Sequence, residues 1–274
     1  RYRSSAASDV YKRQAYIPTM LISKLLKRTL SFKRLSESTC YGWRHAARHI
    51  ENVEVDQINR EFAVDHRCEL LECEYSTGYI RTQLGYIGTM FNRGVEMGII
   101  KWNPWQGLLK GLDKSYKKYP HKKFDHFQRF HDDPLFMAVW LHGFRISEAA
   151  CLLPEDFVTD AEVPYINIEH NHIRKCKNNY TQRQVPIHPE YFKYIDRFPF
   201  TTNVNAGDYF SRKLKKHTGI SAHGIRHSFI TRMRQAGVEY SIAMAIVGHK
   251  PQGMTASYGD VLTEDMASQI KLVK

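Results

Sequence analysis

The chain has 274 residues, of which 42% are hydrophobic and 25% charged, a composition that argues against a largely disordered protein. No run of about 18 apolar residues occurs, which excludes a membrane-spanning helix, and an odd number of cysteines, five, favours a reducing compartment over a disulfide scaffold. The net charge of +12 favours a polyanionic partner, either nucleic acid or a membrane surface. The length predicts two domains.

Residues 4–14 are interpreted as an artefact. They read SSAASDVYKRQ, which resembles the in-frame translation of a common transposase-based sequencing adapter. The alternative is a natural polar tail or a targeting peptide rich in Ser and Arg. We expect genuine sequence to begin near Ala15, with an unknown natural N-terminal part missing, and residues 1–14 are left out of the fold prediction.

Residues 15–109 show helical periodicity throughout. Ser36 or Ser38 is expected to cap one helix, and Val55 is expected to open another that runs toward Leu71. The pattern predicts a small all-helical domain.

A long helix is predicted from Ser76, because apolar residues recur there at intervals of three and four. Gly98 is expected to end this helix, and Pro104 closes the region. The apolar stripe consists of Ile80, Leu84, Ile87, Phe91 and Val95.

Residues 110–123 predict a basic interdomain linker, because six lysines accompany a single acid and Pro120 interrupts them. This composition suits either a solvated loop or a segment that lies on a phosphate backbone. A second basic cluster, at 212–216, leaves the same two interpretations open. The residues predicted to bind DNA are Lys114, Lys117, Lys118, Lys122, Lys123, Arg212 and Lys213.

The second half mixes helical and extended patterns. A helix is predicted over Pro134–Ala150, and β-branched alternation predicts a hairpin from Glu162–Ile168 and Gln182–Ile187 around a turn at 178–179. Helical pattern resumes at Ser221. The fold class is therefore mainly α with a small β-sheet.

Five short motifs in the second half carry the chemistry. In chain order they are Arg145-x-x-Glu148, a lysine at 175 or 177, His223-x-x-Arg226, Gly248-His249 and Tyr258. This ordered set resembles the tyrosine recombinase family, also called phage integrases. Residues 76–104 resemble the last helix of that family's helical core-binding domain.

The resemblance implies a C-shaped clamp around duplex DNA. A helical core-binding domain at 15–109 and the basic linker at 110–123 would precede an α+β catalytic domain at 124–274. Many family members carry a further small arm-binding domain before the core-binding domain.

Arg145 and Arg226 are predicted to hold the scissile phosphate. Negative charge spreads over the phosphoryl oxygens during displacement, so catalysis is mostly positioning and charge stabilisation. A guanidinium group suits this task because it is permanently charged and can bind two oxygens.

Tyr258 is the predicted nucleophile. A phenol is weak at its normal pKa of about 10 and needs cationic neighbours and a base. By resemblance, its attack gives a 3′-phosphotyrosine and a free 5′-hydroxyl, and the linkage conserves the bond energy, so neither a metal ion nor ATP is expected.

Two imidazoles are predicted to assist. The resemblance implies that His223 is the base and that His249 donates a hydrogen bond to the phosphate. His227 is expected to pack or hydrogen-bond beside the site, and Glu148 to orient a basic side chain rather than react.

The proton donor to the leaving 5′-oxygen is predicted on the hairpin. Lys177 fits the family position better than Lys175, counted back from Val185-Pro186, but the family often has Thr-Lys-Thr where this chain has Cys-Lys-Asn. A second departure is His-Gly-Phe at 142–144, where the family commonly has Thr-Gly-Leu.

Two remaining signals are weaker. His66, Cys68 and Cys73 lack the spacing and the second pair of a zinc site, so no metal is expected. Residues 261–273 predict a short C-terminal helix, which could dock on a neighbouring subunit, as in the family, or on its own domain.

The sequence thus predicts a site-specific DNA recombinase for integration or excision of a phage or mobile element. Expected partners are double-stranded attachment sites, other copies in a tetramer and DNA-bending accessory proteins, within the cytoplasm and nucleoid of a bacterial host and without a membrane. Alternatives are a chromosome-dimer (Xer-like) resolvase, a conjugative-element integrase, a type IB topoisomerase, or a catalytically dead prophage remnant that only binds DNA.

Overall fold

The computed structural model of the chain describes residues 20–32, 35–113, 121–176, 181–249 and 261–273. The chain divides into two compact units, residues 1–117 and 118–274, and each is described by itself. Helices dominate both, and one three-stranded sheet lies in the second. The predicted fold class, mainly α with a small β-sheet, is confirmed.

The first unit packs its described helices around one apolar core. Trp43, Leu84 and Phe91 are among the side chains that fill this core, and each is at least 97% buried. The helices are α1 (Ile22–Phe32), α2 (Glu37–Ala47), α3 (Arg60–Glu72) and α4 (Thr77–Glu96).

Helix starts in this unit are set by side-chain caps. Ser36 accepts the Thr39 N–H at the start of α2, and Ser76 accepts the Tyr79 N–H at the start of α4. The expected start at Val55 is wrong, because Val55–Gln57 forms only a 3₁₀ turn and α3 begins at Arg60.

Asn59 explains that later start, since its side chain accepts the Phe62 N–H and so caps α3. The apolar stripe of α4 also differs at its last member. Val95 is 37% exposed, and Gly94 is buried in its place.

The end of the first unit is tied to α4. Arg81 donates from Nη1 to the carbonyl oxygens of Leu109 and Leu112, at 3.1 and 2.6 Å. Residues 114–120 of the predicted linker lie outside the described residues.

The second unit surrounds a small sheet with helices. The strands are β1 (Phe157–Val158), β2 (Tyr165–Ile168) and β3 (Arg183–Pro186). The helices are α5 (Pro134–His142), α6 (Ile146–Ala149), α7 (Phe192–Ile195), α8 (Ala206–Thr218), α9 (Ala222–Gln235), α10 (Tyr240–Val247) and α11 (Thr263–Ile270).

The sheet is antiparallel, in the order β1-β2-β3. Ile166 pairs with Val185, and both are fully buried on the helix-covered face. The predicted hairpin strands are present but shorter, the strand β1 was not predicted, and the turn at 178–179 lies outside the described residues.

The helix predicted over Pro134–Ala150 is in fact two helices. Gly143 ends α5 with a φ of +64°, and a Cβ atom there would lie 2.2 Å from the Phe229 ring. Only glycine fits this turn without displacing its neighbour. The break turns the chain so that Arg145 begins α6.

The C-terminal tail packs on its own unit. Helix α11 contacts β3 and buries Met266 and Ile270, whereas Leu262, the residue before the helix, is 58% exposed. His188 bonds the Val273 carbonyl oxygen through Nε2, at 3.1 Å. In the part of the chain that is described, no helix is long and apolar enough to cross a membrane.

Candidate active site

The first part of the candidate site is the start of α6. Arg145 is the residue before the helix, and the Glu148 side chain folds back to accept its backbone N–H at 3.0 Å. The same carboxylate accepts Arg145 Nη1 at 2.5 Å. Glu148 therefore caps the helix and fixes the Arg145 guanidinium with one group.

Arg226 is buried in the N-terminal half of α9, with only 1% of its surface exposed. It donates from Nη1 to the Gly143 carbonyl at 2.7 Å and from Nη2 to the Val247 carbonyl at 2.5 Å. Burial first, and the charge of Arg145 second, lower the pKa of Arg226 to about 9. The guanidinium thus remains charged at neutral pH.

His249 follows Gly248, which ends α10 with a φ of +62°. Its Nε2 lies 2.9 Å from Arg226 Nη2. Partial burial, followed by the charges of Arg226 and Arg145, lowers the pKa of His249 to about 4. Because guanidinium only donates, Nε2 is the acceptor and the neutral ring carries its proton on Nδ1.

Gly248 joins these parts into one pocket. Arg145 donates from Nη2 to the Gly248 carbonyl oxygen at 3.3 Å, so the turn that carries His249 contacts both arginines. The structure therefore brings together Arg145, Glu148, Arg226 and His249.

Arg183, at the start of β3, is a member of this pocket that sequence reasoning missed. Its Nη2 donates to Glu148 Oε2 at 3.1 Å, and its Nε donates to the Ile246 carbonyl at 2.7 Å. Its position just before Val185-Pro186 is the one sequence signal that could have pointed to it. Its partners, Glu148 and Ile246, are distant in sequence and form no local motif with it.

The carboxylate of Glu148 is surrounded by positive charge. Burial would raise its pKa, but Arg183 and Arg145 outweigh burial and lower it. Three guanidinium groups lie within 4 Å of this one carboxylate, so the cluster has two positive charges in excess.

His223 lies one turn before Arg226 on α9. Its Nε2 is 3.2 Å from His227 Nε2, and the rings are perpendicular. Burial, then the charge of His227 and of Arg226, lower the pKa of His223. His227 thus contacts a predicted site residue directly.

The remaining predicted residues divide into two groups. Lys175 is exposed beside the hairpin, and Lys122 lies near α9, where its backbone N–H donates to Ser228 Oγ at 3.5 Å. Lys123, Arg212 and Lys213 are exposed. Outside the described residues lie Lys114, Lys117, Lys118, Lys177 and Tyr258.

This arrangement is suited to binding a tetrahedral oxyanion. The excess positive charge attracts a phosphodiester, and neutral His249 is held at the same point by Arg226. Within the described ranges, no group of three or more His, Cys, Asp or Glu side chains is placed to hold a metal ion. The fold and pocket define a mainly helical protein with a pocket rich in arginine.

Comparisons with known proteins show what the chain is similar to. Residues 201–265 match the model of the phage integrase family. A curated relative, a probable site-specific recombinase in the afa region of Escherichia coli, is 23% identical over 167 residues, which cover 52% of this chain and 67% of the relative.

Solved structures share the fold. The Tn1549 transposon integrase in complex with transposon right end DNA has a TM-score of 0.66 at 17% identity, covering 91% of this chain and 98% of that chain. A lambda integrase tetramer bound to a Holliday junction has a TM-score of 0.62 at 13% identity, covering 95% and 82%. The chain therefore shares the fold of these integrases, and its residues 201–265 are similar to the phage integrase family.

Proposed function

We propose that the protein is a site-specific DNA recombinase that cuts and rejoins DNA through a 3′-phosphotyrosine, for integration or excision of a phage or mobile element. The observation that supports this most is the pocket in which Arg145 and Arg226 lie against the buried carboxylate of Glu148 and His249 lies against Arg226. DNA binding alone does not need such a pocket.

The arginines would stabilise the charge that develops on the phosphate. Both are held before substrate arrives, because Glu148 fixes Arg145 and two main-chain carbonyls fix Arg226. Groups that need no rearrangement stabilise a transition state most effectively. His249 would donate from Nδ1, the nitrogen that carries its proton.

The chemical step is an in-line displacement at phosphorus. The phenol oxygen of Tyr258 would attack and form the phosphotyrosine bond, while the bond to the 5′-oxygen breaks. His223, held neutral by its lowered pKa, would take the phenol proton. Lys177, or alternatively Lys175, would protonate the leaving 5′-oxygen. No metal ion or nucleotide enters this scheme.

Binding of duplex attachment sites belongs to the same proposal. Residues 15–109 would form the DNA-clamping domain, 110–123 the linker and 124–274 the catalytic domain. Related integrases in complex with DNA, one of them a tetramer, support a tetramer of this chain on DNA. We propose that it acts in the cytoplasm of a bacterial host, with DNA-bending accessory proteins.

The test uses a nicked duplex from the DNA that flanks the gene. Cleavage near the nick releases a short fragment, which traps the covalent intermediate. We expect an SDS-resistant adduct with the wild-type protein and none with Tyr258→Phe, since the phenol oxygen would become part of the new bond. DNA binding should be unchanged. Tyr240→Phe, at an exposed tyrosine of α10, is the matched control and should form the adduct normally.

An adduct with Tyr258→Phe would refute the nucleophile assignment. Salt-sensitive DNA binding without any wild-type adduct would favour the dead remnant. Strand exchange between two duplexes, compared with relaxation of supercoiled DNA, separates a recombinase from a type IB topoisomerase. The sites exchanged separate an integrase from a resolvase.

A further inference from the structure

We propose that Arg183 is a positioning residue for this reaction. Arg183 fixes the position of Glu148 relative to the turn that carries His249. Because Glu148 in turn binds the Arg145 guanidinium, Arg183 also positions Arg145. The consequence for catalysis rests on the proposed function, whereas the coupling between Arg183 and Glu148 is a property of the pocket itself.

The three arms of the Arg183 guanidinium bind three different chain segments. Nη2 donates to Glu148 Oε2 at 3.1 Å, Nε to the Ile246 carbonyl at 2.7 Å, and Nη1 to the Thr181 carbonyl at 2.7 Å. Only 7% of the side chain is exposed. The guanidinium carbon lies 5.7 Å from the centre of the Phe144 ring, which closes one side of the site.

These contacts join Arg183 and Arg145 in one hydrogen-bond network. Arg183 and Arg145 share the Glu148 carboxylate, and each also binds a carbonyl near the end of α10, Ile246 for one and Gly248 for the other. A shift of either guanidinium therefore moves the carboxylate that holds the other. The positions of the Arg145 and Arg183 guanidinium groups are therefore coupled.

A purely structural ion pair in the same unit looks different. Arg174 binds both oxygens of Asp156 at 2.8 Å and donates to the carbonyl oxygens of Glu169 and Cys151, none of which belongs to the pocket. Arg183 instead binds Glu148, which orients Arg145, and the carbonyl oxygen of Ile246 near the end of the helix that precedes His249. A buried ion pair is a weak source of stability, and an apolar residue often replaces one without loss.

The decisive variant is Arg183→Lys. It keeps the charge, but one ammonium nitrogen lacks the planar fork needed to reach three acceptors. Misplacement of a catalytic group by about 1 Å costs about 100-fold in rate. We expect adduct formation to slow by about that factor while the Kd for DNA changes less than about twofold, because Arg183 is buried and its guanidinium donates to protein groups.

The matched control is Arg232→Lys. Arg232 is another buried arginine, on α9, and its guanidinium carbon lies 3.8 Å from the centre of the Trp140 ring. The guanidinium donates to the backbone carbonyl oxygen of Trp140. We expect this control to destabilise the fold but to leave the rate of adduct formation by the folded fraction within about twofold.

A double-mutant cycle with Glu148→Gln tests the mechanism. If Arg183 acts through Glu148, Arg183→Lys should add less than about threefold to the slowing caused by Glu148→Gln, and the pair should be coupled by about tenfold in the unfolding constant. For Arg232→Lys combined with Glu148→Gln, the effects of the two single variants should multiply, both on the rate of adduct formation and on the unfolding constant.

The outcomes separate the two proposals. Suppose that the wild-type protein forms the adduct and that the slowing factors of Arg183→Lys and Glu148→Gln multiply in the double variant. This result would overturn the positioning role and leave the recombinase proposal standing. If no wild-type adduct forms at any site while the unfolding constants are coupled, the proposed reaction falls and the geometric inference stands. Uncoupled unfolding constants overturn the inference in either case.

Discussion

His142 shows how one buried side chain sets a pH limit on the fold. It is fully buried at the end of α5, its Nδ1 bonds the Ala138 carbonyl, and its Nε2 accepts the His188 N–H at 3.0 Å. Burial, with His188 as the second cause, lowers the pKa of His142 to about 3. The ring must be neutral, because Nε2 is occupied as an acceptor.

The free energy of unfolding should therefore fall as the pH is lowered. Between pH values of about 6.5 and 3, the unfolded chain binds a proton at His142 that the native state rejects, so stability is lost by up to about 1.4 kcal/mol per pH unit. His142→Gln should flatten this dependence by up to that slope, measured by urea unfolding across the range.

His172→Gln serves as the control, since His172 is exposed. It should leave the slope as it is in the wild type. Equal slopes for His142→Gln and the wild type would show that another group is responsible for the acid sensitivity.

Individual residues of the pocket differ in how far the sequence predicts them. Arg145, Arg226 and His249 could be predicted because each belongs to a short motif in a fixed order. Arg183 could not, since its meaning comes from Glu148 and Ile246, which lie 35 and 63 residues away. For a single basic residue in a strand, the local sequence does not show whether the side chain is buried and bound to several acceptors or is exposed to solvent.

The turn between α5 and α6 is the element on which the pocket depends most. Gly143 ends α5, supplies the carbonyl that Arg226 binds, and lies against Phe229. Two helices and one arginine therefore meet at a residue without a side chain.

Gly143→Ala should be strongly destabilising. The left-handed backbone costs a side-chain residue about 1–2 kcal/mol, and displacement of the Phe229 ring adds about 1–3 kcal/mol. We expect a loss of about 3 kcal/mol in the free energy of unfolding, and a slower rate of adduct formation by the molecules that remain folded.

Gly219→Ala isolates the backbone contribution. Gly219 ends α8 with a φ of +72°, and a Cβ atom there would meet nothing within 4 Å. It should cost about 1 kcal/mol and leave the rate unchanged. Equal losses for the two variants would contradict the close packing of Gly143 on Phe229.

Elements were predicted best where a local signal decides them. The caps at Ser36, Ser76 and Ser221 start helices in the structure, because a side-chain oxygen satisfies a backbone N–H that the helix leaves unpaired. The start at Val55 was wrong because apolar periodicity continues through a 3₁₀ turn. The break at Gly143 was missed because the apolar run continues across it.

At the scale of the whole molecule, we expect the proposed binding of DNA to depend on net charge. The net charge of +12 predicts binding that weakens steeply with salt, since each neutralised phosphate releases a counterion. Lys123→Ala, Arg212→Ala and Lys213→Ala should each reduce the slope of log K against log salt by about 0.9, if each residue contacts one phosphate. Fluorescence anisotropy over a range of salt concentrations measures this.

Lys193→Ala is the matched control. Lys193 is an exposed lysine whose ammonium lies 5.1 Å from the centre of the Tyr194 ring. It should leave the slope at the wild-type value. Loss of slope in the control as well would mean that binding responds to total charge rather than to the predicted contacts.

The long sequence distances inside the pocket also have a consequence for synthesis. Arg145 meets Gly248 across 103 residues, and Gly143 meets Arg226 across 83. A chain still emerging from the ribosome has the first arginine long before it has the second, and contacts so distant in sequence form late in folding. An incomplete copy therefore has Arg145 without Arg226, and we expect nascent or prematurely terminated chains to lack the complete pocket and with it the proposed reaction.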